Sequence, residues 1–173
     1  MIPASYEPLV KPDAVIPEDI RALDEQILAL LSLRDLLSAE GRAHRRNGLP
    51  YAALSAELQM VKRAISVRLD ELDRRVLETA HRLCDEALVE HPNKLPIISA
   101  VDILHTLYEL PEYRNNRLAF NFRSYFTTGR DARRNHTARV YSLLRRNGFV
   151  RTSGASVRSP TYSREADLDA YRD

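Results

Sequence analysis

From Tyr51 onward the apolar residues Leu54, Leu58, Val61, Ile65, Leu69, Leu72, Val76, Ala80, Leu83 and Ala87 follow one another in steps of three and four. That period places them all along one side of an α-helix. A helix of about 40 residues is about 60 Å long at its usual rise, and local propensity does not hold such a length in water. It needs packing partners along its whole extent, supplied by the rest of the chain or by a second copy.

One partner precedes it. Pro17 suits the first turn of a helix, and Glu18 and Asp19 complement that helix's positive N-terminal end. Ile20, Leu23, Ile27, Leu30, Leu31 and Leu37 then recur on an amphipathic pattern that runs to about Arg46. "NGLP" at 47–50 supplies a C-terminal glycine and then a proline, which stop one helix and permit another to start. So short a turn makes the two helices antiparallel neighbours, and the unmatched remainder of the longer one suits pairing with another chain. Residues 17–91 are therefore expected to form a helical hairpin that dimerises. Residues 1–16 carry Pro3, Pro8 and Pro12 without periodicity and read as an extended arm.

After "EHPNKLP" at 90–96, the segment "PIISAVDILHTLYEL" sets Ile97, Val101, Leu104 and Leu107 or Tyr108 on one stripe, which predicts a third helix. In "RLAFNFRSYFTTG", Leu118, Phe120 and Phe122 alternate as in a strand, while Leu118, Phe122 and Tyr125 or Phe126 fit a helix; the helix is preferred. Residues 135–147 predict a further helix that ends at Gly148. Phe149–Thr152 and Val157–Ser163 then read as strands around a Ser153–Ser156 turn, before an acidic tail over 165–173.

At 173 residues, 44% of them apolar, the chain has enough material for one ordinary domain or two small ones. It contains no run of eighteen apolar residues, and its first twenty residues lack the basic flank and apolar centre of a signal peptide. These features point to a cytoplasmic protein without membrane contact. Cys84 is the one cysteine and closes no internal disulfide, which fits a reducing compartment. His81 and Cys84 at i, i+3, with His91 further on, could share a zinc ion only if another chain supplied ligands; Cys84 reads better as a small buried apolar group. There is no glycine-rich phosphate loop and no GxSxG, and the sequence implies no cofactor.

The net charge of +2 hides an asymmetry. Residues 1–91 hold twelve basic and sixteen acidic side chains, whereas residues 111–164 hold twelve arginines against Glu112 and Asp131, a balance of +10. Such a concentrated basic region beside an acidic remainder is the electrostatic footprint of a polyanion-binding module. On a helical wheel for 135–147, Val140, Leu143 and Leu144 form a stripe to be buried. Arg134, Asn135, Ala138, Ser142 and Arg145 stand opposite, with Arg139 and Arg146 at the margin. Arginine pairs bidentately with guanine edges and asparagine with adenine, and the small Ala138 and Ser142 allow close approach of the backbone. Arg130 and Arg133 precede this face, and Arg151 and Arg158 in the hairpin are placed to neutralise phosphates. Asn135 also suits a helix N-cap, and Arg145 and Arg146 also complement a helix C-terminal dipole. The aromatic residues at 120–126 read as core more readily than as a base-stacking platform.

Helices followed by a two-stranded hairpin, ending in "LLRRNGFVRTSGASVRSPTYSR", resemble the winged helix-turn-helix family over about residues 95–164. The resemblance implies a duplex-DNA-binding module with its third helix in the major groove and its wing along the backbone or minor groove. Residues 20–50 also resemble the first helix of the all-α chorismate mutases, which are dimers of intertwined helices. That likeness puts Arg34, Arg45 and Glu57 on positions that bind a dicarboxylate substrate. Pro17 and Ala56, however, stand where the family has arginines, which removes much of the charge that such catalysis by electrostatic preorganisation needs. The sequence thus predicts a mainly helical chain that is not an enzyme: a dimeric, nucleoid-associated regulator or repressor that binds double-stranded DNA. A chorismate-mutase-like enzyme and an RNA-binding or protein-interaction adaptor are the alternatives.

Overall fold

A computed structural model describes residues 1–109, 132–152 and 160–172, with the backbone alone over 132–138. The chain is mainly helical with a small three-stranded antiparallel sheet. It divides into two compact units, Met1–Leu72 and Asp73–Asp173.

In the first unit, a 3-10 turn (Ala4–Tyr6) leads into the short helix α1 (Glu7–Val10), which is followed by α2 (Ile20–Arg46) and the start of α3 (Ala52–Glu90). Asp19 caps α2 by accepting a hydrogen bond from the Ala22 amide at 2.8 Å. At the other end Asn47 is the C-cap, and Gly48 takes a left-handed φ of 65°. Glycine takes that conformation without the steric cost of a Cβ. Leu30, Leu33 and Leu37 of α2 pack with Leu54, Leu58, Val61, Ala64 and Ile65 of α3 in one buried cluster. Gly41 is part of this fit, because a Cβ there would meet Tyr51 Cε2 at 2.7 Å.

The arm expected over 1–16 packs on the cluster, and its residues Ala4–Val10 are helical where an extended chain was expected. Val10 is buried in it, and Ile2, Tyr6 and Leu9 pack against it. Pro8 falls in the first turn of α1, where its missing N–H costs nothing, and Lys11, held extended before Pro12, ends the helix. The prolines therefore delimit a short helix. Arg68 is the largest fully buried side chain of this unit. Its Nε donates to Gln26 Oε1 at 2.7 Å and its Nη1 to the Ala64 carbonyl at 3.0 Å, while burial lowers its pKa.

The second unit contains the last part of α3, then β1 (Ile98–Ser99), α4 (Ala100–Leu107), α5 (Ala132–Arg146), β2 (Phe149–Arg151), β3 (Thr161–Arg164) and α6 (Glu165–Arg172). The strand order is β1-β3-β2, antiparallel throughout, with Ile98 opposite Tyr162 and Val150 opposite Ser163. Its core joins Val76, Ala80 and Cys84 of α3 to the residues Ile98, Ile103, Leu104, Val140, Leu143, Leu144, Phe149 and Tyr162. The third helix starts later than its stripe suggested. Ser99 and Asp102 form a capping box that begins α4 at Ala100, so Ile97 lies outside the helix and is 53% exposed. The two residues before the helix are left extended and pair with β3. The second hairpin strand likewise lies at Thr161–Arg164, and the acidic tail is the helix α6, whose Glu165 and Asp167 sit at its N-terminal end. The helix expected over 118–126 lies outside the described residues. Among those residues no helix is long and apolar enough to cross a membrane.

Candidate nucleic-acid interface

The stripe of Val140, Leu143 and Leu144 fixes which side of α5 is turned inward. The helix ends where Asn147 Nδ2 donates to the Leu143 carbonyl at 2.7 Å, and Gly148, at φ 79°, redirects the chain into β2. Phe149 then enters the core beside His81, with ring centroids 5.1 Å apart, and leaves Val150 and Arg151 exposed. Across the ladder, Arg151 stands opposite Tyr162, whose ring stacks on Tyr141 at 5.4 Å. Burial first, then the neighbouring Tyr162, raises the Tyr141 pKa.

The anticipated contact residues fall into four groups. Arg145, Arg146 and Arg151 are exposed, and Ser142 is half-buried; among the described residues none of the three arginines has an ion pair. The Arg146 Nε reaches only the Ser142 carbonyl, at 3.3 Å. Arg139 departs from the expectation of a groove-facing margin. Its Nε and Nη2 meet Asp73 Oδ1 and Oδ2 at 3.1 and 2.8 Å, a two-pronged pair that ties α5 to α3. Arg133, Arg134, Asn135 and Ala138 lie in the first two turns of α5, where only the backbone is described; because the helix begins at Ala132, Asn135 is inside it and is not its N-cap. Arg130 and Arg158 are outside the described residues.

Arg164 is a second structural arginine, not singled out by its position in the sequence. It donates to Asp85 Oδ1 at 2.6 Å and to Asp167 Oδ2 at 2.6 Å. Burial alone would lower its pKa, but the bonds to Asp167 and Asp85 outweigh burial and hold it above the ordinary arginine value. Only the i, i+3 spacing to Asp167 was visible in the sequence; Asp85 lies 79 residues away. Next to this pair Cys84 is fully buried, and burial pushes its thiol pKa up to about 11, so it is a packed apolar group and not a reactive one. Among the described residues no cluster of His, Cys, Asp and Glu is arranged to hold a metal ion.

The residues matched to the mutase pattern stand in unlike settings. Arg34 bonds to the adjacent Asp35 at 2.7 Å, Arg45 lies over the Tyr51 ring, and Glu57 is partly buried. No protein family, curated protein or solved structure matches the chain.

Proposed function

We propose that this chain is a dimeric DNA-binding protein that acts by binding and not by catalysis, with Asp73–Asp173 as a winged helix-turn-helix and the N-terminal helices as the dimer contact. The observation that carries the reading is the strand order β1-β3-β2, with α4 and α5 between the first strand and the other two. In a winged helix the last strand lies at the centre of a small sheet in this way, between the strand before the helix pair and the first strand of the hairpin, and the helix leading into the hairpin is the one that meets the groove. Arg145 and Arg146 at the end of α5 and Arg151 on β2 supply exposed guanidinium groups on that helix and the adjoining strand. Arg134, Asn135 and Arg145 are the residues assigned to base edges, the small Ala138 and Ser142 to close approach of the backbone, and Arg151 and Arg158 to phosphates, with Arg130 and Arg133 preceding this face. A transcriptional regulator or repressor on the nucleoid is the role such a module fits, and pairing of two copies sets the spacing of half-sites at about 34 Å, one turn of DNA.

The experiment is a salt-titrated binding series with duplex DNA, single-stranded DNA and RNA. Duplex DNA should bind tightest, with a logarithmic dependence on salt that weakens when Arg145 and Arg151 are replaced. Preference for single-stranded or structured RNA would assign the surface to RNA, and no binding to any of the three at low salt would leave an acidic protein partner as the reading.

A further inference from the structure

The acidic balance of the N-terminal half conceals a reversal of sign. Residues 1–40 carry three basic and eight acidic side chains, and residues 70–91 carry three basic and seven acidic. Between them, residues 41–69 carry six basic side chains against Glu57 alone, a local balance of +5. Of those six only Arg68 is buried; Arg42, Arg45 and Arg46, together with Lys62 and Arg63, are exposed.

Along the same two helices, three arginines outside this stretch are neutralised locally: Arg34 by Asp35, Arg74 by Glu78 and Arg82 by Glu86. Arg42, Arg45 and Arg46 have no carboxylate partner among the described residues. The local geometry also holds Arg45 in place. Gly41 admits the Tyr51 ring, and the Arg45 guanidinium lies over that ring at 4.3 Å from its centroid. Stacking on a ring face fixes a guanidinium while using none of its N–H donors. The His44 Nδ1–H donates to the Pro50 carbonyl at 2.8 Å and closes the turn. Complementing the C-terminal dipole of α2 accounts for cations in its last turn only. Arg42 lies before that turn, and Lys62 and Arg63 are well inside α3.

From these observations we infer that the α2–α3 turn, with Arg42, Arg45 and Arg46 at its centre, is a second phosphate-binding surface, one that takes a nucleic-acid backbone. An anionic lipid surface fits less well. A helix lying in a membrane interface needs an exposed apolar face. Here Leu33 and Leu37 are buried at 2% and 0% exposure, and the large exposed apolar side chains over residues 33–63 are Leu36, Leu49 and Met60, single residues far apart in sequence. Guanidinium groups without carboxylate partners suit the fixed spacing of phosphates on a duplex. With such a surface on the first unit, one chain can hold two DNA segments, a consequence that rests on the proposed DNA contact of the second unit.

The test uses the full chain, a labelled DNA duplex and a salt series. The triple variant Arg42→Gln, Arg45→Gln, Arg46→Gln should lower the slope of log K against log salt by about 2 to 3, at about 0.9 for each phosphate no longer neutralised. It should also abolish co-capture of a second duplex by protein already bound to a first. The corresponding triple lysine variant keeps the charge and should keep both properties. Arg46→Gln alone leaves the Tyr51 stack intact, so a slope decrease of about 1 in that variant reports contact and not misfolding. An unchanged slope in both glutamine variants overturns the inference, as does a loss of binding to phosphatidylserine vesicles with DNA binding unaltered. The variant Arg145→Gln, Arg146→Gln, Arg151→Gln separates this inference from the reading of the second unit, because it should leave the contribution of the turn in place.

Discussion

In Met1–Leu72 the buried cluster consists of leucine, valine, isoleucine and alanine side chains in helical steps, on segments joined by a turn of a few residues. In Asp73–Asp173 the elements are joined across long stretches of sequence. Arg139 reaches Asp73 over 66 residues, Ser163 Oγ donates to the Pro96 carbonyl over 67, and Arg164 reaches Asp85 over 79. The difference lies in what specifies each unit. The first rests mainly on non-directional burial, which tolerates small shifts, with Arg68 and its bond to Gln26 as a buried directional contact between α2 and α3. The second adds charged and polar pairs whose geometry fixes how α5 and β3 sit on α3, and it devotes Arg139 and Arg164 to that task while Arg145, Arg146 and Arg151 stay exposed.

The sharpest way to break this contrast is to remove apolar volume from the first unit. Leu37→Ala should cost about 2–5 kcal/mol in chemical denaturation, since Leu37 is fully buried and its truncation opens a cavity. In the second unit, Arg164→Ala should cost about 1–3 kcal/mol, because it leaves the Asp167 carboxylate, only 15% exposed, without its partner. A loss below about 0.5 kcal/mol there would mean that apolar packing alone holds the sheet to α3. Arg139→Ala and Arg145→Ala should then separate in kind. The first should destabilise the fold by about 1 kcal/mol, as removal of a partly buried hydrogen-bonded pair does. The second should change stability by less than about 0.5 kcal/mol yet weaken duplex binding by about 1–3 kcal/mol.

The smallest effect concerns pH. Folding raises the Cys84 pKa from 9.0 to about 11, so the thiol form is favoured in the folded chain. Its contribution is fully present below pH 9.0 and is lost as pH rises toward about 11. Wild type and Cys84→Ala should therefore differ in stability by a constant amount at neutral pH and converge over that alkaline range in parallel urea titrations.

How far the sequence discloses this architecture follows the same division. The extents of α2 and α3, the Gly48 turn and the inward stripe of α5 were legible, because each is written in steps of three or four or in a glycine next to a helix end. The folded N-terminal arm was not, because Ile2, Tyr6, Leu9 and Val10 are too few to show a period and the prolines dominate the reading. Strand β1 was hidden inside an apolar run that also fits a helix, and only the Ser99–Asp102 capping box separates the two. For α6 the signal was present in Glu165, Asp167 and Arg172 at matching ends of the helix dipole. Among the candidate contacts, spacing put Arg139 next to the exposed residues of α5, but nothing local marks Asp73 as its partner.

The most direct test is the salt dependence of duplex DNA binding by the full chain, compared between wild type and the variant Arg145→Gln, Arg146→Gln, Arg151→Gln. The predicted result is a steep loss of affinity with salt in wild type and a slope shallower by about 2 to 3 in the variant, with the melting temperature unchanged. Equal slopes for two folded proteins would contradict it.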